Sequence, residues 1–123
     1  MVFLIADDSS RMRASIKRFL STRIPNHHMI HEAADGGAAI DLYERAHPDW
    51  VLMDIQMEPV DGLVASRTIL AAHPDAKIII LTNYDDATYR QAAKALGTRA
   101  FILKEHLSQI PTILSEHSNG PAS

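Results

Sequence analysis

Four apolar runs that each stop on a polar residue constrain this chain more than any other feature. Val2-Phe3-Leu4-Ile5-Ala6 runs into Asp7 and Asp8, and Val51-Leu52-Met53 runs into Asp54. Ile78-Ile79-Ile80-Leu81 runs into Thr82, and Ala100-Phe101-Ile102-Leu103 into Lys104. Short continuous apolar runs read as strands buried on both faces. A weaker pair, Met29-Ile30, reads as a short second strand at an edge.

Helical spacing fills the gaps. Met12, Ile16, Phe19 and Leu20 share one face, while Arg11, Arg13, Lys17 and Arg18 lie outside it. Ile40 and Tyr43 belong to a second helix, entered through Asp35-Gly36-Gly37. Leu63, Ser66, Ile69 and Leu70 are spaced as the inner face of a third. Ser9 or Ser10, Asp85 or Asp86, and Ser108 stand where helices need N-caps. Pro25-Asn26, His47-Pro48-Asp49 and His73-Pro74 break helices, Gly97 suits a left-handed C-terminus, and Pro111 fits a first turn. Five strands alternating with five helices predict one α/β domain, a doubly wound parallel sheet over residues 1–116. Residues 117–123 read as a small, polar, disordered tail.

In such a sheet, ligands sit beyond the carboxyl ends of the strands. That edge collects three acids, a hydroxyl and an amine. Asp7 and Asp8 alone also suit a helix start, where acids are favourable. Set beside Asp54, Thr82 and Lys104, they read instead as a hard-cation site for handling phosphate. Carboxylates that close repel one another, and a bound Mg²⁺ would remove the repulsion. Lys104 offers a point charge for a phosphoryl group, and Thr82 one hydrogen bond.

Composition narrows the field. The 123 residues are 46% hydrophobic and 22% charged, with a net charge of −3 and no cysteine. Thiol chemistry and thiolate metal sites are excluded, and nothing electrostatic favours nucleic acid. The N-terminal run lacks the pattern of a signal peptide, and no run approaches a membrane span. A cytoplasmic location is the expectation. Of the seven histidines, His27, His28 and His31 cluster, and they read as surface residues.

Asp7-Asp8 after strand one, Asp54 followed by Met57 and Asp61-Gly62, Thr82 after strand four, and Lys104 after Phe101 together resemble the response-regulator receiver domain of two-component signalling. The resemblance implies a flavodoxin-like five-stranded sheet in order 2-1-3-4-5. It implies that Asp54 accepts a phosphoryl group from a histidine kinase or phosphotransfer protein. Asp8, Asp54 and the Gln56 backbone carbonyl would bind Mg²⁺, with Asp7 acting mostly through water. Thr82 and Lys104 would contact phosphoryl oxygens, and Phe101 would move with Thr82, switching the helix 4/strand 5/helix 5 face. Such a domain catalyses only its own phosphorylation and dephosphorylation. It acts alone or within a longer, DNA-binding regulator, by homodimerising or engaging a downstream protein.

The chain departs from the family pattern in three places: Glu58 precedes Pro59, bulky Asn83 follows Thr82, and Glu105 follows Lys104 in place of proline. A non-proline cis bond costs about 2.5–4 kcal/mol, so the Lys104–Glu105 isomer is left open. The competing reading is a Mg²⁺-dependent phosphohydrolase with an aspartyl-phosphate intermediate. It lacks a second acid in Asp54-Ile55-Gln56 and room for a substrate cap.

Overall fold

The computed structural model describes residues 1–24 and 29–118. The predicted helix stop at Pro25-Asn26, and His27 and His28, lie outside the described residues. Strands β1 (Val2–Ala6), β2 (Met29–Ala33), β3 (Trp50–Asp54), β4 (Ile78–Thr82) and β5 (Ala100–Leu103) alternate with helices α1 (Ser10–Arg23), α2 (Gly36–Ala46), α3 (Gly62–Ala72), α4 (Ala87–Leu96) and α5 (Ile110–Ser118). All strand pairs are parallel, in the order β2-β1-β3-β4-β5.

Strand alternation sorts the core into two layers. Leu4, Val51, Met53, Ile78 and Ile80 meet Ala39 and Tyr43 of α2, Ala65 and Ile69 of α3 and Ala93 of α4. Phe3, Ile5, Trp50, Leu52, Ile79 and Leu81 meet Ile16 and Leu20 of α1 and Ile110 and Leu114 of α5. Each fully buried aliphatic or aromatic side chain contributes about 1.5–3 kcal/mol, so these runs hold the sheet in the middle.

The caps resolve as side-chain acceptors. Ser9 takes the Met12 N–H, Asp35 the Ala38 N–H, Asp61 the Val64 N–H, and Asp86 the N–H groups of Thr88 and Tyr89. Gly97 closes α4 at φ 97.

Two expectations need correction. Strand β2 runs on to Ala33, because parallel pairing with the whole of β1 sustains it despite its His and Glu. Ser108 does not open α5; Lys104–Gln109 forms a 3-10 segment first, and α5 starts at Ile110. The α5 backbone runs to Ser118, and residues 119–123 of the expected tail lie outside the described residues. Of the basic residues of α1, Arg13 and Lys17 both meet Glu32 of β2. Among the described residues the one cis peptide is Glu58–Pro59, so Lys104–Glu105 is trans. Also among them, no helix is long and apolar enough to cross a membrane.

Candidate phosphoryl and metal site

The strand order places β1 and β3 side by side, and so delivers their terminal acids to one place. Asp7, Asp8 and Asp54 each offer a carboxylate oxygen, and these oxygens lie within 4.8 Å of one another. Asp7 and Asp54 are 1% and 5% exposed, whereas Asp8 faces solvent. Lys104 reaches in from the end of β5. Its Nζ lies 2.7 Å from Asp7 Oδ2 and 3.4 Å from Asp54 Oδ1.

Backbone bonds fix these carboxylates. Asp7 Oδ1 accepts the Ser9 N–H at 2.9 Å, so the acid joins the start of α1. The Asp7 N–H donates to Ala33 O, and Arg13 donates to Asp7 O. The Gln56 backbone N–H favours the ionised Asp54 carboxylate.

Three carboxylates around one ammonium leave two uncompensated negative charges when all are ionised. Burial pushes the Asp54 carboxyl up to about 6; Lys104 opposes this and Asp7 adds to it. Hard oxygen donors carrying surplus negative charge in a partly dry cleft suit a divalent cation such as Mg²⁺. The residues present therefore fit a metal ion.

Thr82 ends β4 beside this cluster, 1% exposed, with Asp54 paired to its neighbour Leu81. Its Oγ1 accepts the Tyr84 N–H at 3.2 Å, which leaves the hydroxyl hydrogen to donate. Phe101 is half-buried against the α2–α4 layer, and the Arg90 guanidinium lies 4.6 Å above its ring centroid.

Two glycines shape the site, and only one stood out in the sequence. A Cβ on Gly62 would overlap the Asp54 carbonyl, so α3 can start hard against the acid's own backbone only as glycine. A Cβ on Gly36 would overlap the Val60 carbonyl, which accepts the Gly36 N–H at 2.9 Å. This bond ties the loop after Asp54 to the start of α2. The Asp61-Gly62 pair was visible as a motif; for Gly36 the signal was only a helix-entry turn.

Comparison with known proteins points the same way. Residues 3–115 match the family described as the response regulator receiver domain. The transcriptional regulatory protein DegU of Brevibacillus brevis is 34% identical over 102 residues, 83% of this chain and 43% of that protein. Protein CcdB of Bacillus subtilis (strain 168) is 40% identical over 101 residues, 82% of each. The crystal structure of a LuxR-family two-component response regulator from Aurantimonas sp. SI85-9A1 matches with a TM-score of 0.84 at 28% identity, covering 94% of this chain and 85% of that one. This chain spans about half the length of the first curated relatives it matches. A family match that runs from β1 into α5, laid over acids, hydroxyl and lysine gathered at one sheet edge, makes this chain a response regulator receiver domain, the phosphorylation-controlled module of two-component signalling.

Proposed function

We propose that Asp54 is the phosphoacceptor of this receiver. The observation that carries the reading is the buried Asp54 carboxylate, 3.4 Å from the Lys104 ammonium and grouped with Asp7 and Asp8. Its upward shift to about 6 still leaves it ionised, and so nucleophilic, at neutral pH. A carboxylate oxygen attacks the phosphorus of a phosphohistidine on a kinase or phosphotransfer protein. The P–N bond breaks, and the imidazole leaves with its electron pair. Lys104 and the Thr82 hydroxyl then hold phosphoryl oxygens.

Asp8, Asp54 and the Gln56 carbonyl would hold Mg²⁺, with Asp7, already paired to Lys104, acting through water. When bound, the ion neutralises charge on the transferring phosphoryl group. The protein catalyses only its own phosphorylation and dephosphorylation, in the cytoplasm. Thr82, drawn to the phosphoryl group, vacates volume that Phe101 fills, which shifts the face of α4, β5 and α5 toward a homodimer or downstream partner. The 82% coverage of CcdB suits a receiver acting alone, and the 43% coverage of DegU one that is part of a longer DNA-binding regulator.

Incubation with acetyl phosphate and Mg²⁺ tests the assignment by intact mass. One added phosphoryl group is expected, absent in Asp54→Asn and with a chelator. Equal labelling of Asp54→Asn overturns it, and steady turnover of p-nitrophenyl phosphate favours the phosphohydrolase instead.

A further inference from the structure

The sequence repeats one motif that the phosphoryl site does not use: His47-Pro48-Asp49 and His73-Pro74-Asp75. The fold brings the two together. His47 is the C-cap of α2, its N–H donating to Tyr43 O, and His73 is the C-cap of α3, its N–H donating to Ile69 O. Their rings lie edge to face, 6.1 Å between centroids. His73 also packs against the ring of buried Tyr43, at 5.0 Å. Its Nε2 meets Glu44 Oε1 at 2.7 Å. These groups precede β3 and β4, at the opposite end of the sheet from Asp54.

We infer that His47 and His73, with Glu44 behind His73, form a binding site for a borderline divalent transition metal such as Zn²⁺, Ni²⁺ or Cu²⁺. Three independent features converge. The first is spacing. A metal–imidazole bond is about 2.0–2.1 Å, which puts each ring centroid about 3.2 Å from the ion, so two rings on one ion stand about 5–6 Å apart. The 6.1 Å separation lies just beyond that range, and His47 is exposed, so a small turn of its ring would close the gap.

The second is the carboxylate. Ligating histidines characteristically give their other ring nitrogen to an acid, which fixes the tautomer and raises basicity. Glu44 does this to His73 Nε2 and leaves Nδ1 to ligate. The third is the field. Two helix C-termini meet here, and the negative end of each helix dipole favours a cation. Imidazole donors select these ions over Mg²⁺, so excess Mg²⁺ can occupy the acidic cluster without displacing them from the histidines. Two protein nitrogens leave the remaining positions to water. The bound ion would tie the end of α2 to the end of α3.

The test titrates Zn²⁺ into the untagged 123-residue chain with Mg²⁺ in excess, by calorimetry. One site is expected. Its Kd should weaken about tenfold or more in His47→Ala and in His73→Ala, and about tenfold in Glu44→Gln, the usual loss when an outer partner is removed. His31→Ala and Asp54→Asn should bind as the parent does. Cu²⁺ should broaden amide resonances of residues 43–49 and 72–76 first. If His73→Ala fails to fold, His73→Gln keeps the Glu44 contact and reads the same loss. Parent-like affinity in both histidine variants, or broadening centred on residues 27–31, overturns the site.

Discussion

Two ion-pair clusters in this receiver carry opposite imbalances. At the carboxyl end of the sheet, one lysine serves three acids: Lys104 lies 2.7 Å from Asp7 and 3.4 Å from Asp54, with Asp8 adjacent. On the α1–β2 flank, two cations serve one acid: Arg13 and Lys17 meet Glu32 at 3.0 and 3.2 Å. Burial raises both carboxyls, and at Glu32 too it is the largest single influence. There the hydrogen bonds from Lys17 and Arg13 win and hold the acid below its usual range. At Asp54 burial wins. The same pairing chemistry is therefore self-sufficient at the surface and incomplete in the cleft. An incomplete cluster invites a ligand, whereas a complete one only braces the scaffold.

The sharpest way to break this comparison is Lys104→Met. Removing one partner of a buried pair costs about 3–5 kcal/mol, because Asp7 and Asp54 are left uncompensated. Urea unfolding in EDTA should show that loss, and Mg²⁺ should return part of it. A loss below about 1 kcal/mol would put the cleft in the class of surface pairs.

Asp54→Asn should act in the opposite direction. The folded carboxyl, at about 6, holds its proton more tightly than the unfolded one, at 3.8. Ionisation therefore costs the fold stability, increasingly from pH 4 to 6 and fully above. In EDTA the variant should gain up to about 3 kcal/mol at pH 7.5, taking about 1.4 kcal/mol per unit, and nothing below pH 4. A gain that persists at pH 4 would give it another origin.

Mg²⁺ should stabilise the parent by about 2.7 kcal/mol at a hundred times its Kd, and Asp8→Ala should remove most of this. Thermal melts with and without the ion decide, and an unshifted parent would mean that the acids bind no metal. The smallest effect belongs to the flank. Glu32→Gln should cost less than about 1 kcal/mol, and 1 M salt should shrink the cost further. Because the Glu32 carboxyl is held low, that contribution should fade as pH falls through the acid range; a cost as large as that of Lys104→Met would erase the contrast.

What could be read in advance was whatever depends on local pattern. The apolar runs showed the strands, because burial on both faces demands continuous hydrophobicity. The polar residue ending each run marked the site, because the carboxyl edge is where a parallel sheet exposes its chain ends. Asp61 and Asp86 were legible as caps or motif residues for similarly local reasons.

Choices among partners were not legible. Lys104 sits closer to Asp7 than to Asp54, and Arg13 and Lys17 turn to Glu32 because β2 lies beside β1, the strand that leads into α1. Nothing in the spacing of residues 13, 17 and 32 states this. The Gly36–Val60 contact depends on how closely α2 approaches the loop after Asp54. The meeting of His47 with His73 depends on α2 and α3 ending side by side.

The sequence by itself determined the element order, the sheet's two-sided burial and the set of chemical groups at its carboxyl edge. Each of these is a property of a few consecutive residues and their period. Tertiary structure decided which charges pair, which acid is dried enough to shift its pKa, and where backbones touch too closely for a side chain. Those outcomes depend on distances between residues far apart in the chain, and such distances exist only once packing has fixed them.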